Sequence, residues 1–311
     1  MPAKPKSTKP IAPKSDSKPK LTWLPNKTFE LTLTIPKEEV KKTYGQVLSL
    51  LAKDTAVKGF RQGKAPEKLV EEKVGKSHVY EHVVQELVTG KYLEALKKHQ
   101  LKPIISPKVS MVSMKDGEDW AFKATACEMP EIKLGKWEEA VKGVNATAKI
   151  WTPASGKPAT PESKAGDQVQ TQPESEDKKI AKIFDALLKE AQVDLSQILI
   201  DDETNRMLSK LLDQVNKLGM TIDQYLASEH KTSDQLRQEY RELAERTLKL
   251  EFILAEIGQE KNFAVTEKEV ELMIQAVPDE KSRQNLQTPE QKTYIASILR
   301  KRKTIDFLLK L

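Results

Sequence analysis

The sequence predicts two folded units of different class: an α+β unit followed by an all-α unit. Near residue 30 and again at 105–129, apolar and polar residues alternate as they do in half-buried strands. From residue 176 onward, apolar residues recur every three or four positions, as they do on one face of a helix. We therefore expect a tail at 1–20, an α+β unit at 21–148, a linker at 149–175 and a helical unit at 176–311.

The linker is predicted from its composition. Residues 152–175 are rich in Pro, Ser, Thr and Gln, and Val169 is their one large apolar residue. Such a segment cannot bury a core, and its composition is typical of flexible linkers.

The overall composition indicates a helix-rich and well-solvated protein. Of the 311 residues, 38% are hydrophobic, 32% are charged and 5% are aromatic. No run of apolar residues is long enough to predict a membrane span, and the lysines near the start are followed by no apolar segment typical of a secretory signal. The single cysteine, Cys127, excludes an intramolecular disulfide, and its strand-like context predicts that it is buried or half-buried. We expect a cytoplasmic protein.

The positive charge of the chain is concentrated in the tail. Residues 1–20 hold six lysines and one aspartate, which account for five of the six net positive charges. Repeated Lys-Pro pairs without apolar side chains predict a disordered segment. Two interpretations remain open: a solubilising extension, or an arm that binds RNA phosphates.

The first unit is predicted to contain a strand, three helices and a hairpin. Alternation at Phe29–Ile35 indicates the strand, which Pro36 ends. Three helical patterns follow, of which Pro66 opens the second and Gly75 closes it. Two strand patterns then flank an Asp-Gly turn at 116–117. This order is that of an α+β unit with an antiparallel sheet.

The loop between the first two helices has the composition of a docking tip. It reads Val57-Lys58-Gly59-Phe60-Arg61-Gln62-Gly63-Lys64-Ala65-Pro66. Its glycines allow positive φ angles, and Phe and Arg are frequent anchors of protein interfaces. The residues alone leave open an ordinary helix connector whose Phe60 packs on the core.

Two histidines raise the question of a metal site. His78 and His82 lie four residues apart on a predicted helix, as metal ligands can. Val79 follows His78, so the His-Glu-x-x-His order of zinc proteases is absent, and the sequence indicates no third ligand nearby. We predict that both histidines lie on the helix surface and that the protein has no metal site.

The second unit is predicted to be helical throughout. The residues placed to begin its helices are Ser196, Thr221, Thr232, Thr266 and Thr288. Gln235, Glu269 and Gln291 stand three residues after the last three of these, which predicts capping boxes. Gly219 is placed to end a helix, and apolar residues spaced three and four apart from Leu236 to Ile257 predict one long helix.

Several of these segments resemble trigger factor, a family of ribosome-associated chaperones. Gly59-Phe60-Arg61-x-Gly63-Lys64-x-Pro66 resembles the family's signature loop. Residues 129–135, Met-Pro-Glu-Ile-Lys-Leu-Gly, resemble the exit from its ribosome-binding domain, so this likeness covers about residues 22–144. Segments 198–203, 219–226 and 265–270 are similar to its C-terminal helical domain.

The resemblance implies a docking site and partners. In the family, a Phe-Arg-Lys tip binds a large-subunit protein beside the ribosomal exit tunnel, and helical arms hold nascent chains. It assigns ribosome binding here to Gly59, Phe60, Arg61, Gln62, Gly63, Lys64 and Pro66. Gln62 replaces the usual Lys, which leaves Phe60 and Arg61 as the matched contacts. Ribosomal RNA is a further expected partner, through the lysines of the tail, and no membrane partner is expected.

Most members of the family also hold a peptidyl-prolyl isomerase domain of the FK506-binding class between their two ends. The linker here is shorter than the roughly 40 residues below which chains rarely fold unaided. We therefore predict that this domain and its catalytic residues are absent. The sequence lacks the G-x-x-x-x-G-K-[ST] phosphate loop, and we expect no cofactor.

There are three alternatives to the chaperone function. A prolyl isomerase would follow from the family label alone. A ribosome-assembly or RNA-binding factor would act through the basic tail. A periplasmic chaperone related through the helical unit is disfavoured by the missing secretory signal.

Overall fold

The computed structural model describes residues 19–57, 60, 65–149 and 176–311, with the backbone alone for 147–149. Within these ranges the chain forms two compact units that divide after Met129. The tail before residue 19 and the linker from 150 to 175 lie outside the described residues, so their predicted disorder and flexibility remain predictions.

The first unit is built on a four-stranded antiparallel sheet. Its strands are β1 (Lys20–Leu24), β2 (Thr28–Ile35), β3 (Lys108–Ser113) and β4 (Trp120–Cys127). Their order in the sheet is β1-β2-β4-β3. In the central pair Phe29 lies opposite Ala126, and Ile35 lies opposite Trp120. The predicted strand and hairpin are confirmed, whereas β1 is an additional strand. Cys127 is buried at the end of β4, as predicted.

Three helices cover the buried face of this sheet, as predicted. They are α1 (Lys37–Asp54), α2 (Glu67–Val74) and α3 (Lys76–His99). Each contributes buried valines to one core with β2 and β4, among them Val40, Val70 and Val83. Gly75 ends α2 with φ +88°, a conformation that favours glycine, and so allows α3 to begin at once. The sequence predicts Pro66 as the first helical residue of α2, whereas Pro66 is the N-cap and Glu67 is the first helical residue.

The second unit consists of eight helices and one short strand pair among the described residues. Its strands are β5 (Ile132–Lys133) and β6 (Gln192–Val193). Its helices are α4 (Trp137–Lys149), α5 (Glu176–Glu190), α6 (Gln197–Lys217), α7 (Ile222–Glu229), α8 (Ser233–Glu260), α9 (Glu267–Gln275), α10 (Glu280–Asn285) and α11 (Pro289–Lys310). None of the helices in the described part of the chain is long and apolar enough to cross a membrane.

The segment from Pro130 to Lys149 packs with the second unit, although the sequence placed it in the first unit. The Asn145 side-chain N–H donates to the Leu308 carbonyl at 2.9 Å, and Lys261 pairs with Glu138. Gly135 has φ +61°, and a Cβ there would lie 2.9 Å from the Glu190 carbonyl oxygen. Only glycine permits this close approach of two backbone segments.

Side-chain caps define most helix starts in this unit. Complete capping boxes join Thr221 with Gln224, Thr232 with Gln235 and Thr266 with Glu269. At α11 the Thr288 hydroxyl accepts the Gln291 N–H, which is one half of the predicted box. The prediction for Ser196 was wrong in part. It occupies the N-cap of α6, but its hydroxyl makes no capping bond to the described residues and is buried.

The capping carboxylate of α9 also binds a cation, which leads to a pH prediction. Lys303 Nζ lies 2.7 Å from Glu269 Oε1, and the Thr266 N–H donates to Oε2 at 2.8 Å. These bonds, first that of Lys303 and then that of Thr266, lower the pKa of Glu269 from 4.5 to about 2. A lowered pKa in the folded state means that ionised Glu269 stabilises the fold above pH 4.5, and that this contribution is lost as the pH falls toward 2.

We therefore expect Glu269→Gln to lower the urea midpoint of the intact protein at pH 6 and to have little effect near pH 2. Urea unfolding at both values, with Glu271→Gln on the exposed side of α9 as the control, measures this difference. An equal loss in Glu269→Gln at both pH values would contradict it.

Candidate functional site

The loop that carries the sequence motif joins α1 to α2, and hydrogen bonds hold its two ends. The Tyr44 hydroxyl donates to Glu71 Oε1 at 2.7 Å, and the Ser49 hydroxyl donates to Glu67 Oε1 at 2.8 Å. Lys73 Nζ donates to the Ala56 carbonyl at the start of the loop. Hydrogen bonds therefore link α1 to α2 at the base of the loop, and we call this pair of helices the stem.

The Tyr44 hydroxyl remains a hydrogen-bond donor at neutral pH. Burial, and then the hydrogen bond to Glu71, raise the pKa of Tyr44 far above its ordinary value of 10.0. The phenol therefore stays protonated and continues to donate to the Glu71 carboxylate.

Phe60 lies exposed at the end of this stem. Val57 and Ala65 pack partly against the core of the first unit, whereas the side chain of Phe60 is 44% exposed. The Phe60 N–H donates to the Val57 carbonyl at 3.1 Å. The alternative in which Phe60 packs on the core is therefore wrong.

Of the other residues of the predicted docking site, the structure describes only Pro66. Pro66 is the N-cap of α2, so the loop ends at this residue. Gly59, Arg61, Gln62, Gly63 and Lys64 lie outside the described residues. Ribosome binding by the whole motif remains a prediction.

The two histidines lie on the exposed surface of α3. Their Nε2 atoms are 3.3 Å apart, and His78 Nδ1 lies 3.3 Å from Glu81 Oε2. Among the described residues, no group of three or more His, Cys, Asp or Glu side chains could hold a metal ion.

The helical unit exposes apolar side chains that the sequence pattern could not distinguish from core. α6 and α8 pack around Leu211, Val215 and Leu236. On the same helices, Leu212 and Leu243 remain 41% and 47% exposed. This pair of helices therefore has an apolar core and also exposes apolar side chains outside it.

α9 and α11 repeat this arrangement with a second small core. Val270, Ile274 and Ile295 are buried together. The exposed large apolar side chains of these two helices are Leu272, Met273, Tyr294 and Ile298, of which Leu272 is 66% exposed. Exposed apolar side chains on these helices are candidate contacts for a partner. We call these four residues, together with Leu212 and Leu243, the apolar arm surface.

Family models match most of the chain. The model of bacterial trigger factor protein matches residues 19–150, and the model of the trigger factor C-terminus matches residues 168–310. Residues 151–167 lie between the two matches.

Relatives agree with these matches over a shorter region. Trigger factors of Staphylococcus aureus strains JH9 and Newman are each 35% identical to this chain over 108 residues. The aligned segment covers 35% of this chain and 25% of each relative, so the match spans a quarter of the length of those proteins.

A solved structure of the trigger factor chaperone, described for promiscuous substrate recognition in folding and assembly, has the same fold. It superimposes with a TM-score of 0.59 over 94% of this chain and 99% of that chain, at 14% identity. The likeness confirms the predicted fold class, an α+β unit followed by a helical unit. Because the two family models together cover most of its length, the chain belongs to the trigger factor family.

Proposed function

We propose that this protein is an ATP-independent chaperone that docks at the ribosomal exit tunnel and shields nascent polypeptides in the cytoplasm. The observation that carries the proposal is the exposed Phe60 at the end of the α1–α2 stem, inside the family's Gly-Phe-Arg motif. Membership of the trigger factor family supports it.

The docking half of the proposal relies on the exposed side chain of Phe60. Aromatic and Arg side chains are frequent anchors of protein interfaces. We assign Phe60 and Arg61 as the contacts with a large-subunit protein at the tunnel exit. Gln62 adds no charge where the family usually has Lys.

The client-binding half relies on the apolar arm surface. Its exposed residues lie on two helix pairs, each of which already has its own core. Several small apolar contacts of this kind bind unfolded segments weakly and with little sequence preference. Such binding delays the collapse and aggregation of emerging chains.

We further propose that the protein has no prolyl isomerase activity. Residues 151–167 separate the two segments matched by the family models. This segment is shorter than the roughly 40 residues below which a chain rarely folds without disulfides, metals or oligomerisation. The isomerase label of the family therefore would not transfer to this chain.

Co-sedimentation of the intact protein with purified ribosomes tests the docking proposal. We expect the protein to pellet with whole ribosomes and with isolated large subunits, and to stay in the supernatant with small subunits. Absence of the protein from the large-subunit pellet at low salt would contradict docking.

The basic tail gives a separate prediction about salt. If its lysines contact ribosomal RNA, removal of residues 1–18, which stops before β1, should flatten the salt dependence of ribosome affinity. Each lost phosphate contact reduces the slope of log affinity against log salt by roughly 0.9 or less.

Co-sedimentation across a salt series measures the slope. Identical slopes with and without the tail would favour the solubilising interpretation. Loss of binding on tail removal, with none on loop mutation, would favour an RNA-binding factor.

A further inference from the structure

The two histidines of α3 form a pair whose geometry the sequence could not show. His78 and His82 lie about one helical turn apart, and their Nε2 atoms approach to 3.3 Å with the two rings nearly perpendicular, at 86°. Both side chains lie on the exposed surface of the helix. The lack of a third ligand in the sequence led us to predict no metal site, and the position of these two nitrogens leads us to revise that prediction.

The separation of the two nitrogens is the one that a shared metal ion requires. Two imidazole nitrogens bound at about 2.0–2.1 Å to a tetrahedral ion lie about 3.3–3.4 Å apart. In the metal-free protein the same distance is that of a hydrogen bond, in which one Nε2–H donates to the other Nε2. Histidines four residues apart on one helix face can bind a metal without any change in the helix backbone.

The carboxylate of Glu81 prepares His78 to act as a ligand. His78 Nδ1 lies 3.3 Å from Glu81 Oε2, and because a carboxylate only accepts, the proton of the neutral ring is on Nδ1. The lone pair of His78 is therefore on Nε2, the atom that approaches His82. A carboxylate bonded to the far nitrogen of a metal-binding imidazole fixes the ring orientation and raises the basicity of the ligand.

The charges beside the pair favour a cation. Asp54 of α1 and Glu86 of α3 line the groove next to His82, and no lysine or arginine is among the described residues that line it. Lys42 and Lys53 of α1 line the neighbouring groove, whose own carboxylates include Glu86. A groove lined by one sign of charge raises the local concentration of ions of the other sign.

We infer that His78 and His82 bind one divalent transition metal ion of the class that prefers imidazole, such as Zn²⁺, through their Nε2 atoms. The protein supplies two ligands and water supplies the others, so the site is open and exchangeable, unlike a closed structural site with four protein ligands. It needs no group of three protein ligands, and the described residues hold none. The inference does not depend on the proposed chaperone function.

A bound ion would link two successive turns at the start of α3. Gly75 is the N-cap of this helix and supplies no side-chain cap, and the first turn has no acidic residue. This end of the helix therefore lacks the usual stabilising groups. An ion that binds only the helical form reduces local opening, so Zn²⁺ should slow amide exchange at residues 79–83.

Isothermal titration calorimetry of the full-length protein, without a histidine tag, tests the inference with Zn²⁺ as the probe. We expect one ion per chain at this pair. Glu81→Gln should weaken binding about tenfold, and His82→Gln by at least as much, because loss of an outer partner typically costs 10–100-fold in metal affinity. The matched control His230→Asn removes an exposed histidine at the end of α7 and should leave the affinity within about twofold. Mg²⁺, which prefers oxygen ligands, should not displace Zn²⁺.

Nitrogen NMR identifies the ligands. Zn²⁺ should shift the Nε2 resonances of His78 and His82 but not that of His230, and EDTA should restore them. Equal Zn²⁺ affinity of the wild type and His82→Gln, or no binding by either, would overturn the inference, with circular dichroism as the check on the fold. Displacement of Zn²⁺ by an equal concentration of Mg²⁺ would assign the ion to surface carboxylates and also overturn it.

Discussion

Replacement of Phe60 and Arg61 together by alanine should weaken binding of the intact protein to ribosomes by roughly three orders of magnitude. Truncation of an interface anchor typically costs about 2 kcal/mol or more, and each 1.4 kcal/mol is a factor of about ten. Phe60 is 44% exposed and contributes little to the core, so the fold should be unaffected. Co-sedimentation over a range of ribosome concentrations measures the loss, and circular dichroism checks the fold.

Two variants control this experiment. Leu93→Ala removes a half-exposed apolar side chain from α3, away from the loop, and should leave ribosome affinity unchanged. Gln62→Lys restores the family's usual residue and should be neutral or strengthen binding, since an exposed ion pair contributes about 0–1 kcal/mol. Unchanged co-sedimentation of the double variant, with an intact fold, would remove the docking role from this loop.

Replacement of Trp120 by alanine should destabilise the first unit by about 3–5 kcal/mol, the cost of removing a large aromatic side chain from a core. Trp120 is 2% exposed, and its ring lies edge-on against Tyr80 and Phe122 at 5.5 and 6.3 Å. Its indole N–H also donates to the Lys115 carbonyl at 3.3 Å. The substitution therefore leaves a cavity in the core of the first unit, while the Lys115 carbonyl still accepts the Glu118 N–H.

The division after Met129 predicts that this damage stays local. In Trp120→Ala, amide exchange should accelerate in β2 and β4 and remain unchanged in α8. Ribosome binding should fall with the folded fraction of the first unit, while suppression of aggregation by the helical unit persists. Leu93→Ala should change stability by no more than about 0.5 kcal/mol. Equal acceleration of exchange in α8 would show that the two units unfold together.

The elements that the sequence predicted correctly are those encoded locally. Phe29, Leu31, Leu33 and Ile35 alternate because one face of β2 is buried, and the alternation is visible without knowledge of its partners. The capping boxes at Thr232 and Thr266 involve residues three positions apart, so their chemistry is contained in a few letters of sequence.

The elements that escaped prediction depend on contacts distant in sequence. β5 exists because Ile132 pairs with Val193, and neither short strand carries a pattern of its own. α4 belongs to the second unit because Asn145 and Glu138 meet α11 and the end of α8. β1 shows only a short alternation, in which Leu21 and Trp23 follow Lys20 and Thr22, and four of its five residues are exposed, so its pairing with β2 was not predicted.

The candidate functional site was likewise predictable from sequence only in part. The Gly-Phe-Arg motif identified the loop from sequence, and the exposure of Phe60 agrees with a docking tip. The apolar arm surface could not be predicted, because Leu272 and Ile274 belong to equally plausible apolar patterns on α9. Only the packing of α11 decides that Ile274 is 1% exposed and Leu272 66% exposed.

The most direct test of the central claim is dilution of a chemically denatured, proline-limited model protein into buffer with the intact chain and without ATP. We expect near-stoichiometric protein to suppress light scattering, and the slow refolding phase, which takes tens of seconds without a catalyst, to show no acceleration at substoichiometric dose. Aggregation as fast as in buffer alone would contradict the chaperone assignment, and catalytic acceleration of the slow phase would contradict the proposed absence of isomerase activity.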